Sequence, residues 1–385
     1  MNLSLTEEQQ MIQDAAKKFA ESELEPVAEK LDQTKDYEIT KAHCKKLAEL
    51  GFMGLNIDAD YGGTEAGVVA FSLAITEIAK ACASTAVTMS VTNMVAEVIQ
   101  VVGNEEQKQK YLPKICSGEY LSGSFCLTEA GAGSDPASMR TRATKTDGGW
   151  SISGTKQWIT SASFAGVFVV WAVTDADAPK GKGISCFLVE AATAGITVGP
   201  GEKKMGQHGS ATNEVHFDNC LVPDSAVLGK LNDGFRIAVA ELAGGRIGIG
   251  SLALGVGLAA MDYATRYATE RKQFGKPISD FQGLQWVIAD RATELEAARL
   301  LLMSAADKKE RGLPFAKEAS MAKLFASEKA NQACYSALQL LGGYGYMQEY
   351  PLERMTRDVR ITSIYEGTSE VQRIVIAREI LREYR

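Results

Sequence analysis

Apolar residues recur three and four positions apart over the first third of the chain. Thr6 with Gln9 three residues later forms a capping box, and Ile12, Ala15, Ala16 and Phe19 follow at helical spacing. The same period returns in "KAHCKKLAEL", "VAFSLAITEIAKACAS" and "EEQKQKYLPKICSG", broken by glycine-bearing stretches such as "DADYGGTEAG". Residues 1–120 therefore read as an α-helical domain. After "GEYLSG" the runs shorten and become β-branched and aromatic: "SGSFCLTE", "WSISGTKQWIT", "GVFVVWAVT", "GISCFLVE", "GITVGP" and "NEVHFDN". They predict a middle β domain over 121–229, with no long helices between strands to make them parallel. From "DGFRIAVAELAGGRIGIG" onward the helical period resumes, and 255–270, 281–308 and 315–341 read as unusually long helices. Residues 230–385 form a helical bundle domain of the kind that often packs across a subunit interface. The order is α, β, α, an α+β class.

Composition narrows the chemistry. The 385 residues are 45% apolar and 23% charged, enough for large cores. A net charge of −7 argues against a nucleic-acid surface. Seven scattered cysteines without a CxxC pair suggest buried reduced thiols, and three histidines outside any ligand spacing give no support to a metal site. The start "MNLSLTEEQQMIQDAAKKF" lacks a basic, then apolar, leader, and no run of about 18 apolar residues is seen. The expectation is no membrane association and a cytoplasmic location, or a mitochondrial matrix if a leader has been removed.

Several stretches carry candidate chemistry. "GIGSLA", Gly248 to Ala253, fits a dinucleotide-binding pattern but has helical sequence on both sides, so close helix packing accounts for it better. "FCLTEAGAGSD" opens from a strand into a loop whose Gly131 and Gly133 free backbone N–H groups beside Thr128 and Ser134. "QWIT" sets Trp158 near Thr160, which suits a flat ring needing stacking and a directed hydrogen bond, or a core indole. "ERKQFGKP" puts Arg271 at a helix end, ready for a pyrophosphate or a surface ion pair. "QLLGGYGY" offers close backbone approach at Gly342 and Gly343, or an ordinary glycine-capped helix end. Glu366, between Tyr365 and Gly367 in "IYEGTSEVQR", reads locally as a helix-entry carboxylate or a buried base.

Together these blocks resemble the acyl-CoA dehydrogenase family, along essentially the whole chain and in family order. The resemblance implies an N-terminal α-helical domain, a middle β-barrel or sandwich domain and a C-terminal four-helix bundle, binding FAD in a homotetramer. It implies flavin contacts at Phe125, Leu127, Thr128, Gly133, Ser134, Trp158, Ile159 and Thr160. It implies further contacts at Arg271, Gln273 and Phe274, partly on a neighbouring subunit, and at Gln282, Gln339, Leu340, Gly342, Gly343, Thr368 and Glu370. Ser134, Arg246 and Gly367 are the implied substrate contacts.

Glu366 matches the family's catalytic base, which removes an α-proton from an acyl-CoA thioester while hydride leaves the β-carbon for flavin N5. In the family the thioester carbonyl is held by the backbone N–H of the base and a ribityl hydroxyl. Members that take the base from another helix carry it at the position of Gly245, where glycine cannot serve. One departure is Ala243, where members often have an acid, and this leaves a CoA contact there open. "GGRIGIGSLALGVG" and "GGYGY" look like the short-chain members, and a short straight or 2-methyl-branched acyl chain is expected, with electrons passing to electron-transferring flavoprotein. An oxygen-using oxidase, a non-catalytic acyl-CoA or flavin scaffold and, least of all, a nicotinamide-dependent reductase are the alternatives.

Overall fold

The computed structural model describes residues 4–385, so residues 1–3, the very start of the segment read above for a leader, lie outside the described residues. Thr6 caps α1 (Glu7–Phe19): its hydroxyl accepts from Gln9 N at 3.1 Å, and the Gln9 side chain accepts from Thr6 N at 3.0 Å. Helices α2 (Ala28–Thr34), α3 (Tyr37–Glu49), α4 (Gly67–Ala81), α5 (Ala83–Val102) and α6 (Glu105–Cys116) complete the N-terminal part.

Strands follow: β1 (Gly123–Cys126), β2 (Arg142–Thr146), β3 (Gly149–Thr160), β4 (Val167–Val173), β5 (Ile184–Glu190), β6 (Ile196–Gly201), β7 (Thr212–Pro223) and β8 (Val227–Leu228). They form one sheet in the order β6-β7-β3-β2-β4-β5-β8, with β1 also on β4. The pleat explains its two cores. Val167, Val169 and Trp171 of β4 face one apolar cluster, and Phe168, Val170 and Ala172 face the other. One expectation needs correcting, because β1 runs parallel to β4, and β2 touches β4 in parallel at Arg142 and Val173. No helix is required for this. The loop after β1 and the β2–β3 hairpin supply a crossover long enough to bring the chain back in the same direction.

The C-terminal part is built around α7 (Gly234–Glu270), 37 residues long. A short hairpin, β9 (Lys272–Gln273) and β10 (Lys276–Pro277), leads to α8 (Gln282–Glu310), α9 (Ala316–Leu341), α10 (Pro351–Arg360) and α11 (Ser369–Arg382). "GIGSLA" lies inside α7, as helix-packing sequence should. Close approach is real on this helix: a Cβ at Gly257 would stand 3.1 Å from Ala330 of α9. Although neither is an unbroken apolar run, α5 and α7 are by length and mean hydropathy apolar enough to span a membrane, yet 78% of each apolar window is buried inside the fold. Their apolar residues are covered by neighbouring helices and, through Val95, Val98, Ile99 and Ile237, by one face of the sheet. All seven cysteines are buried and unbridged.

Candidate functional site

The loop after β1 and the end of β3 are bound together. Gln157 N donates to the Thr128 carbonyl at 2.9 Å, and Ser124 Oγ donates to the Thr160 carbonyl at 2.7 Å. Beneath them a buried ion pair locks the loop to the strand. Lys156 Nζ meets Glu129 Oε1 at 2.9 Å and the Leu127 carbonyl at 3.1 Å. Glu129 also accepts from Arg140 N at 2.6 Å and Thr141 N at 2.9 Å. Phe125 packs on Trp171 with ring centroids 4.2 Å apart, and Leu127 and Ile159 are buried. Thr160 is half-buried and Ser134 exposed.

On this frame Trp158 is left 56% exposed, at φ 57°, beside an irregularity in the β3–β7 register. A bulky residue in the left-handed region is strained, and that backbone conformation, at the register irregularity, turns the indole out of the sheet instead of into the core. Gly131 and Gly133 have no atom within 4 Å of where a Cβ would stand, so the loop is open to an approaching group. An exposed indole, two threonines and an open glycine loop fit a flat ring with a polar rim.

Glu366 lies in the turn between α10 and α11, also in the left-handed region at φ 55°. The turn is held from behind: Gln372 Nε2 donates to the Glu366 and Gly367 carbonyls at 3.1 and 2.8 Å, and Lys323 Nζ donates to the Gly367 carbonyl at 2.8 Å. Thr368 caps α11 by accepting from Val371 N, and Glu370 is exposed on its first turn. Tyr365 is tied to Gln207, whose Nε2 donates to its hydroxyl at 3.2 Å. So fixed, the Glu366 carboxyl points at α7. Its Oε2 is sealed from solvent and has no hydrogen-bond partner among the described residues. A Cβ at Gly245 would stand 2.9 Å from that oxygen and 2.8 Å from Met94 Sδ. Glycine at 245 is therefore what gives this carboxyl its room.

Burial pushes the Glu366 carboxyl up from 4.5 to about 7, against the pull of Arg246 and Lys323, whose positive charges favour its ionised form. Burial likewise brings Lys323 down to about 8. Arg246 is 6% exposed, donates to Ser320 Oγ at 3.2 Å and keeps Nε unpartnered among the described residues.

A third group gathers at the other end of the bundle. The Arg271 guanidinium sits 5.5 Å from the Tyr344 ring, next to Gly342 and Gly343, and Phe274 packs edge-on to Phe281 while staying 94% exposed. Gln273, Gln282 and Gln339 are exposed nearby in sequence, whereas Leu340 is buried. No hydrogen bond, ion pair or ring contact joins this group to Trp158 or Glu366 among the described residues.

Sequence reading did not single out Lys323, Gln372, Met94 or Glu241, all buried near Glu366, although Met94 and Glu241 lie in the stretches 88–101 and 240–245 that the sequence suggested set the depth of the acyl pocket. A signal existed for Lys323: it interrupts the buried stripe of Ala319, Ala322, Ala326 and Ala330 on α9. Gln372 carried none, because its role depends on contacts between elements distant in sequence.

Three family models match, described as the acyl-CoA dehydrogenase N-terminal domain over residues 6–119, the middle domain over 124–220 and the C-terminal domain over 232–381. The chain is 46% identical to an acyl-CoA dehydrogenase of Bacillus subtilis, covering 98% of this chain and 99% of that one. It is 45% identical to an acryloyl-CoA reductase (NADH) of Anaerotignum propionicum, covering 99% and 96%. Among solved structures, butyryl-CoA dehydrogenase from Megasphaera elsdenii superimposes with a TM-score of 0.95 at 39% identity, over 99% of this chain and all of that one. A chain in the structure of the electron transferring flavoprotein of Acidaminococcus fermentans gives 0.96 at 42%, over 99% and 100%. Acyl-CoA dehydrogenase complexed with FAD from Bacillus anthracis gives 0.93 at 33%, over 99% and 68%. With every part of the chain matched, this protein belongs to the acyl-CoA dehydrogenase family of flavin oxidoreductases.

Proposed function

We propose that this chain binds FAD and desaturates a short acyl-CoA thioester between its α and β carbons, with Glu366 as the base. The observation that carries the reading is the Glu366 carboxyl itself. It is sealed, unpartnered, raised to about 7 and given open space by Gly245. A group that poised can take a weakly acidic proton near neutral pH, which a fully ion-paired carboxylate could not. Arg246 and Lys323 offset charge on Glu366, and the backbone N–H of Glu366 would hold the thioester carbonyl.

Trp158, Thr128, Thr160 and the open loop at Gly131 and Gly133 would hold the ring of FAD, which supplies a hydride acceptor when bound. Arg271, Gln273 and Phe274 would meet the polar end of the cofactor from a second copy of the chain. Exposed Phe274, Trp286 and Tyr335, at 94%, 65% and 68%, support a tetramer in which these faces are covered. The match to butyryl-CoA dehydrogenase supports a short acyl chain, and the match to a chain solved with electron transferring flavoprotein supports that acceptor.

The relative named acryloyl-CoA reductase (NADH) favours a second reading, in which the same bond is reduced and a protonated Glu366 returns the α-proton. Both are tested by mixing FAD-loaded protein anaerobically with thioesters from propionyl to octanoyl, including isobutyryl and 2-methylbutyryl. Flavin absorbance near 450 nm is followed, as set by flavin chemistry. Bleaching by one or two short esters, lost in Glu366→Gln, is the expected result. Bleaching by NADH followed by recovery with an enoyl-CoA would favour the reductive reading, and bleaching that ignores Glu366 would remove both.

A further inference from the structure

Glu241 stands outside the chemistry just proposed, yet it is buried beside it. The residue is 9% exposed, and its Oε1 has no hydrogen-bond partner among the described residues. Burial and the charge of Glu97 push its carboxyl well up, Lys309 opposes them, and Glu366 adds to the rise. An unsatisfied carboxyl costs stability, so a ligand group is the natural partner for it.

Its position is defined by helix geometry. Glu241 lies one turn before Gly245 on α7, on the same side, about 6 Å along the axis. Lys309 of α8, ion-paired with Glu97 of α5, closes the cluster: a Cβ at Gly244 would stand 2.6 Å from Lys309 Nζ and 4.0 Å from Glu241 Oε1. The missing acid at Ala243 has not simply moved here, since two residues turn the helix by about 200°.

This face of α7 also has a direction. Beyond Gly245, Gly248 is closed over by Ser90 and Phe71, which are 3% and 6% exposed. At the Glu241 end, Glu97 and Lys309 keep 18% and 16% side-chain exposure, and Val101 one turn further along α5 is 68% exposed. A thioester with its reacting carbons at Glu366 would send its apolar tail to the closed end and leave through the open one. The part that passes Glu241 is then the pantetheine arm, which carries two amides.

We propose that Glu241 is a specificity-determining residue that hydrogen-bonds an amide of the pantetheine arm. The inference rests on the thioester reading above and adds a binding contact for the carrier half of the substrate. Three butyryl thioesters test it: of ethanethiol, with no amide, of N-acetylcysteamine, with one, and of pantetheine, with two. The quantity read is the ratio of kcat/KM for the pantetheine ester to that for the ethanethiol ester.

Glu241→Leu is expected to cut this ratio about tenfold, mainly through KM, while Glu241→Gln, which can still donate and accept, keeps it within about threefold. Where the Leu variant does not fold, Glu241→Ser serves, with the same tenfold loss expected. An unchanged ratio in these variants overturns the proposal, as does equal slowing of all three esters, which would place Glu241 in the fold or behind Glu366. Inertness of the wild-type flavoprotein toward every thioester would instead sink the thioester reading, and this inference with it.

Discussion

At Lys156 and Glu129 the interior accepts a full positive and a full negative charge and leaves neither wanting. The ammonium meets a carboxylate and a carbonyl, and the carboxylate takes two further backbone amides. At Glu366 the interior does the reverse. A carboxyl oxygen of Glu366, the Arg246 Nε of α7 and the Gln372 Oε1 of α11 are all buried without partners among the described residues, around a turn whose key residue, Glu366, is held at positive φ. Both regions pay for burying charge, but only the first recovers the cost within the chain. A satisfied buried pair positions other groups, whereas an unsatisfied one marks a candidate functional site.

The contrast can be broken most sharply at the unsatisfied end. Glu366→Gln removes the proposed base without changing shape, and flavin reduction by a short thioester is expected to slow by roughly 10²–10⁴-fold in stopped-flow measurements. At the satisfied end the loss should appear in stability. Glu129→Leu strands the Lys156 ammonium and two amides, and denaturant unfolding should show a loss of about 3–5 kcal/mol. Adding Lys156→Met should recover part of that loss, leaving the orphaned Arg140 and Thr141 amides as the remainder.

A third expectation separates the regions by pH. Because folding raises the Glu366 carboxyl from 4.5 to about 7, the folded state binds the extra proton and wild-type stability falls as pH rises across that interval. Glu366→Gln should thus be more stable than wild type by about 3 kcal/mol at most above pH 7, with the gain vanishing near pH 4. If Glu366 acts as the proposed base, the sign for catalysis is opposite: kcat/KM should fall tenfold per unit below pH 7, where Glu366 is protonated. The smallest effect concerns the neighbours. Arg246 holds Glu366 down, so Arg246→Leu should move that limb to higher pH, by about one unit or less.

Much of the fold was legible because its periods are strong. The Thr6 cap, the turn from helical to alternating pattern after residue 120 and the long C-terminal helices all follow from local spacing. The parallel β1–β4 pair was not, since parallel pairing depends on which distant strand lies alongside. Trp158, Thr128 and Glu366 stood out as residue types in unusual company. Glu241 and Lys323 did not, although each is a charge on a largely apolar helix face, because burial of a long side chain is decided by what covers it.

By itself, the sequence determined the order of helical and strand regions, the glycines that keep the loop after β1 and Gly245 free of side chains, and the choice of Glu366 over residue 245 for a carboxylate. Those are local properties, set by side-chain size, period and the residue present. Only the tertiary structure decided that Gly245, Met94 and Glu366 meet at one point, that Lys323 and Gln372 hold the turn from behind, and that Glu366 rises to about 7 while Lys156 and Glu129 satisfy one another. Burial and electrostatic neighbourhood belong to no residue alone; they arise when α5, α7 and α9 close around a turn hundreds of positions away from the first of them.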